Sequence, residues 1–79
     1  MLVRVKLMDI FRDFLPSGSD ASKFMLACQK NDRAEDIFFK LGIPAELPRV
    51  IVHNGRVASK DQKLQDGDII AIFSPIFGG

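Results

Sequence analysis

Val3, Val5 and Leu7 alternate with Arg4, Lys6 and Met8, the period-two pattern of a strand with one buried face. A second run, 23–28, puts Phe24, Leu26 and Cys28 on one face and predicts a second strand. Between them, 9–22 reads as an irregular connection. Within it, Ile10-Phe11-Arg12-Asp13-Phe14-Leu15 predicts a helical turn ahead of Pro16, and Ser17-Gly18-Ser19-Asp20 is turn chemistry. The period then changes. Ala34, Ile37, Phe38 and Leu41 recur at helical spacing, so 33–41 is expected to be a helix lying against the sheet. Asp32 is the expected N-cap, with Glu35 completing a capping box. Gly42 supplies the left-handed stop and Pro44 prevents continuation. Phe39 falls off the stripe and is expected to cover the rim of the sheet.

The second half returns to strand patterning. Val50-Ile51-Val52-His53 predicts a third strand, and Asn54-Gly55 is the strongest two-residue hairpin signal, because a type I′ turn needs positive φ at both positions. Arg56-Val57-Ala58 predicts a short returning strand. The segment 59–65 is polar, with Leu64 as its one apolar anchor. Asp66-Gly67-Asp68 reads as a tight turn into a last strand, 69–73. The order is ββαββ with a late short strand, which predicts an α+β domain: a mixed sheet of about five strands wrapping one main helix. In the last strand Ile70 and Ile72 are expected to face the helix. Ile69, Ala71 and Phe73 make the opposite face apolar as well, and an apolar outer face needs cover. The domain is expected to span 1–73, followed by a tail, 74–79, that ends in Gly78-Gly79 with a free carboxylate.

Seventy-nine residues hold one core and no second. Eleven basic against ten acidic residues, scattered along the chain with a net charge of +1, argue against a nucleic-acid surface. The single cysteine, Cys28, excludes a disulfide framework or a cysteine metal cage and reads as a small apolar strand residue. No apolar run approaches the roughly 20 residues of a membrane span, and charges occupy the N-terminus where a signal peptide is apolar. A cytoplasmic protein that contacts neither membrane nor nucleic acid is the expectation. No nucleophile–base pair, phosphate loop or zinc spacing occurs, so the chain is not expected to be catalytic alone, nor to hold a metal or cofactor. Asp66 and Asp68 lack a third ligand and read as a structural turn. His53 has no carboxylate or Cys/His cluster near it in sequence and reads as a strand-end residue. Phe11, Phe14, Phe24 and Phe38 read as core.

Three segments in order, Val52-His53-Asn54-Gly55-Arg56, Leu64-Gln65-Asp66-Gly67-Asp68 and Phe73-Ser74-Pro75-Ile76-Phe77-Gly78-Gly79, resemble the MoaD/ThiS group of ubiquitin-like sulfur carriers. The resemblance implies a β-grasp fold over the whole chain and is specific from Val50 onward. Within the group, the ending is similar to the small subunit of molybdopterin synthase, which typically has Phe followed by Pro-Pro where this chain has Phe73-Ser74-Pro75. The Leu41-Gly42-Ile43-Pro44 connection is shared with thiamin-pathway carriers. What the resemblance implies is a Gly79 carboxylate that an activating enzyme of MoeB/ThiF type adenylates with ATP and that then becomes a thiocarboxylate. A desulfurase would supply the sulfur. The molybdopterin synthase large subunit would receive the tail, and the sulfur would go to molybdenum or tungsten cofactor synthesis.

Such chemistry suits these residues. A carboxylate is a poor electrophile until it becomes a mixed anhydride, and acyl-adenylates survive only where water is excluded. Gly78 and Gly79 lack Cβ and can thread a narrow tunnel. Pro75 stiffens the exit from the strand, and Ile76 and Phe77 are suited to a partner groove. Phe73, Ala71 and Ile69 are expected at the docking face, with Arg12 meeting a partner's acidic patch. Thiamin or tRNA thiolation, conjugation to lysines through Gly79, and a plain binding module remain as alternatives.

Overall fold

The computed structural model describes residues 1–59 and 61–75. Five strands, β1 (Leu2–Leu7), β2 (Lys23–Ala27), β3 (Val50–His53), β4 (Arg56–Val57) and β5 (Ile69–Phe73), make one sheet in the order β2-β1-β5-β3-β4. β1 and β5, the first and last strands, pair in parallel at its centre. The other three pairings are antiparallel. A 3₁₀ turn, Asp9–Phe14, follows β1, and one α-helix, α1 (Ala34–Leu41), crosses the sheet. This mixed sheet on one helix is the β-grasp architecture expected from the sequence.

The core lies between α1 and one face of the sheet. Val3, Val5 and Leu7 of β1, Ile70 and Ile72 of β5, Ile51 of β3 and Ala34, Ile37 and Phe38 of α1 are all buried. Phe11, Ile43, Cys28 and Leu64 close its margins. Leu64 therefore anchors the polar 59–65 segment as its isolation in the sequence implied. Phe14 and Phe24 pack on the core only partly buried. Burial pushes the Cys28 thiol above its ordinary pKa, with the neighbouring Asp32 carboxylate adding to the effect. That is the inert state expected of a small apolar stand-in.

Two local expectations are corrected. The helix begins one residue later than its sequence signal: Arg33 is the N-cap, in extended backbone, and Asp36 rather than Glu35 accepts the Arg33 N–H, at 2.7 Å. The physical reason is tertiary. The Asp32 carboxylate is taken by the Gln29 N–H at 2.8 Å and by Lys40 at 3.3 Å. Meanwhile the 62–64 segment lies alongside, with Gln62 C=O accepting the Ala34 N–H and Asp32 C=O accepting the Leu64 N–H. The bond from Gln29 is the main reason the Asp32 pKa falls below the usual carboxylate value, against an opposing push from burial. The second correction is Phe39, which is 89% exposed and therefore does not cover the rim of the sheet.

Turn chemistry follows the sequence. Asn54 and Gly55 have φ of 52° and 86°, the two positive values of a type I′ hairpin, and Gly42 ends α1 at φ 73°. A Cβ at Gly55 would meet no atom within 4 Å, so Gly55→Ala strains the backbone alone. Its expected effect is a loss of about 1 kcal/mol in urea unfolding, and a loss above 3 kcal/mol would show that the turn carries contacts beyond its backbone. No helix among the described residues is long and apolar enough to cross a membrane.

Candidate functional site

β5 has the strand's alternation with apolar residues on both faces. Ile70 and Ile72 enter the core, whereas Ile69 is 52% exposed and Ala71 and Phe73 are half-buried on the outer face. Register extends that outer face sideways. Ala71 lies opposite Val52 and Phe73 opposite Val50 on β3, and Val57 of β4 lies beyond Val52, largely exposed. On the other side Arg4 stands beside Ile69 and Met25, and Lys6 beside Ala71 and Lys23. The outer face is thus an apolar strip along β5 and β3, bordered on β1 and β2 by Arg4, Lys6 and Lys23. Lys6 and Lys23 face each other directly, an arrangement that is unfavourable on a bare surface. Basic residues that look scattered in the sequence are gathered by strand pairing.

Each end of β5 is tied down by a carboxylate. At its start, Asp68 is 6% exposed and accepts three hydrogen bonds, from His53 Nε2 at 2.6 Å, Asn54 Nδ2 at 3.0 Å and the Gln65 N–H at 2.7 Å. Burial alone would raise its pKa. The bonds from Asn54, Gln65 and His53 together outweigh that and hold it below the usual carboxylate range. Asn54 completes the knot by accepting the Ile69 N–H at 2.8 Å through Oδ1 and donating its own N–H to the Ile69 carbonyl. His53 therefore has a carboxylate partner that the sequence did not reveal, fifteen residues away. The Asp66-Gly67-Asp68 segment is the tight turn expected, with Gly67 at φ 85°. Among the described residues no cluster of three or more metal-ligating side chains exists.

At the other end, Ser74 is completely buried, and its N–H donates to Asp9 Oδ2 at 2.9 Å. Pro75 follows and is exposed. Arg12 is exposed in the 3₁₀ turn, which packs against β1 and β5. Ile76, Phe77, Gly78 and Gly79 lie outside the described residues. Sequence reasoning missed Asp9, hidden in a connection without periodicity. The available signal was its position: an aspartate, tolerant of left-handed backbone, directly after the first strand.

A core-packed last strand with an apolar outer face, secured at both ends, leads into the Pro75–Gly79 segment. The ThiS family model matches residues 25–79, through to the terminal glycines. The chain belongs to the ThiS family. Solved structures agree with this fold. SAMP1 from Haloferax volcanii superposes with a TM-score of 0.73 at 15% identity, each chain covered in full. The Pyrococcus furiosus protein assigned as molybdopterin converting factor subunit 1 gives 0.73 at 24% identity, covering 94% of this chain and 97% of that one. A chain in the complex of subunits 1 and 2 of the Helicobacter pylori molybdopterin-converting factor gives 0.62 at 19%, again with full coverage of both. No curated protein matches significantly. At these identities the likeness is one of fold. In this ThiS family member, β5 and its outer face are the part of the fold that leads to the terminal glycines.

Proposed function

We propose that this chain is a sulfur carrier acting as the small subunit of a molybdopterin synthase. The observation that carries the reading is the ThiS family match running through residue 79, so that it includes Gly78 and Gly79. The Pyrococcus and Helicobacter likenesses support the molybdopterin assignment within the family. The Gly79 carboxylate attacks the α-phosphorus of ATP, pyrophosphate leaves, and the acyl-adenylate forms. Hydrosulfide then attacks the acyl carbon, AMP leaves, and a thiocarboxylate remains. When sulfur arrives as a desulfurase-derived persulfide, the acyl disulfide first formed needs a second thiol to release the thiocarboxylate. ATP is consumed by the activating enzyme of MoeB/ThiF type, and this chain holds no cofactor.

The outer face is the proposed docking surface for that enzyme and for the large synthase subunit. Burying a fully exposed side chain of this size contributes roughly 1.5–3 kcal/mol, and less for Ile69, which is 52% exposed, and for the half-buried Phe73. Arg4, Lys6 and Lys23 favour a partner whose apolar patch is edged with carboxylates. Arg12, exposed in the 3₁₀ turn, is a further proposed contact for a partner's acidic patch, and Pro75, Ile76 and Phe77 enter the partner's groove ahead of the glycines.

Intact mass spectrometry before and after incubation with ATP, an activating enzyme and sulfide tests this. The expected result is a gain equal to one oxygen-for-sulfur exchange, mapped to Gly79, and transfer of that sulfur when the large synthase subunit is added. A mass gain without transfer would move the chain to thiamin or tRNA thiolation. The full-length likeness to Haloferax SAMP1, a small archaeal modifier protein, favours one other reading. Isopeptide adducts on cellular proteins in place of the mass gain would make the chain a modifier, and neither outcome would leave a binding module.

A further inference from the structure

We infer that Asp9 is a positioning residue, which clamps Ser74 and so sets the direction in which the chain leaves the sheet toward Gly79; this rests on the sulfur-carrier reading above. The ladder between β1 and β5 identifies the clamp. Leu7 lies opposite Ile72, and the Met8 N–H continues the pairing by donating to the Ile72 carbonyl at 3.0 Å. In a regular parallel ladder the next rung would run from the Ser74 N–H to the Met8 carbonyl. That carbonyl instead accepts the Phe11 N–H at 3.0 Å, the bond that opens the 3₁₀ turn. The Ser74 N–H goes to Asp9 Oδ2 at 2.9 Å. A carboxylate thus substitutes for a backbone rung where the sheet stops.

Three further observations make this a built device rather than an incidental contact. Asp9 has a φ of +53°, in the left-handed region that aspartate enters more readily than most residues with a Cβ, and this backbone aims its carboxylate at Ser74. Ser74 is fully buried, so an amide left without an acceptor there would be strongly unfavourable, and a carboxylate acceptor makes the bond stronger than a neutral one would. Pro75 comes next and has no N–H, so no later rung can form at that residue. The Ser74 amide is therefore held by a side chain, anchored in the turn that follows β1. Had proline stood at position 74, this amide donor would not exist.

Docking through the outer face of the sheet leaves this bond untouched, whereas aligning the terminal carbonyl with an attacking or leaving group depends on orientation. Asp9 should accordingly affect turnover and not carrier affinity. Asp9→Gly removes the acceptor and is at ease at positive φ; Asp9→Asn keeps both an acceptor oxygen and tolerance of that backbone. With an activating enzyme of MoeB/ThiF type from the same organism, ATP and sulfide, Asp9→Gly should lower kcat for thiocarboxylation at least about tenfold, with KM for the carrier within about twofold. Asp9→Asn should restore most of that loss. Amide exchange at Ser74, followed by NMR in the free carrier, should accelerate at least about tenfold in Asp9→Gly and little in Asp9→Asn. Wild-type kcat in a folded Asp9→Gly variant overturns the inference, as does unchanged exchange at Ser74 or an Asn variant as impaired as the Gly one. A wild-type chain that acquires no sulfur defeats the sulfur-carrier reading instead, and with it Asp9's role in turnover. Ser74 exchange then still decides whether the clamp exists.

Discussion

Phe38→Ala is expected to lower the unfolding free energy by about 3–5 kcal/mol. The Phe38 ring is 2% exposed and stacks on Phe11 with centroids 6.5 Å apart and planes inclined by 8°. The Arg49 guanidinium also lies over this ring, its central carbon 4.0 Å from the centroid. That guanidinium is itself held by the Ala45 carbonyl at 2.8 Å and lies 3.7 Å from Glu35, and one of its nitrogens, Nη1, is buried with no hydrogen-bond partner among the described residues. Deleting the ring opens a cavity between the 3₁₀ turn and α1. It also removes the aromatic surface that compensates a partly buried cation. A domain of this length has a total stability of roughly 4–12 kcal/mol, so the variant should lose a large fraction of it. Urea titration reads the effect, and Phe39→Ala is the internal control. Phe39 is the next residue on the same helix but 89% exposed, and its replacement should stay within about 0.5 kcal/mol of wild type. Equal losses in the two variants would mean that the helix docks the other way round.

Asp68→Ala should cost about 3 kcal/mol, because it strands His53, Asn54 and the Gln65 N–H at once in a partly buried site. Asp68→Asn is more informative, since its shape is conserved. Its amide oxygen can serve His53 and Gln65, but its NH₂ group then meets the NH₂ of Asn54. Turning Asn54 over would break its bond to the Ile69 N–H. No assignment of the two amides satisfies every group, so a loss of about 1–2 kcal/mol is expected.

The pH dependence carries a sign. Folding lowers the Asp68 pKa, so the unfolded chain binds the proton more tightly. The contribution to stability is complete above the unfolded carboxylate value of about 4 and declines as pH falls through the folded value. The Asn variant should therefore differ most from wild type near neutrality and converge on it in acid. A difference that does not shrink toward low pH would show that Asp68 acts through packing rather than charge.

The tie between these two predictions is that one was legible in the sequence and the other was not. Phe38 stands in a period of 3.6 with Ala34, Ile37 and Leu41, and its burial follows from that spacing alone. The paired positive φ of Asn54 and Gly55, the stop at Gly42 and the alternation of Val3, Val5 and Leu7 were equally legible, because each is a property of a few consecutive residues. The same alternation in β5 correctly assigned Ile70 and Ile72 to the core and Ile69, Ala71 and Phe73 to the outer face. The departures share a cause. Asp32 has every local mark of an N-cap, yet the chain near Gln29 and Lys40 claims its carboxylate, and the helix starts at the next residue. Phe39 lies off the apolar stripe, and the helix leaves it 89% exposed instead of turning it toward the rim of the sheet.

The sequence by itself determined the elements, their buried faces and the family, since hydrophobic period, turn dihedrals and an ordered set of motifs are all local or linear signals. Only the tertiary structure decided what surrounds β5. It brought Asp68 to His53 across fifteen residues, set Lys6 opposite Lys23, and placed Asp9, sixty-five residues earlier in the chain, on the amide of Ser74. The physical reason is that a hydrogen bond or a charge contact acts over a few ångströms. Which distant residues come within that range is settled by strand order, here the parallel pairing of the first strand with the last.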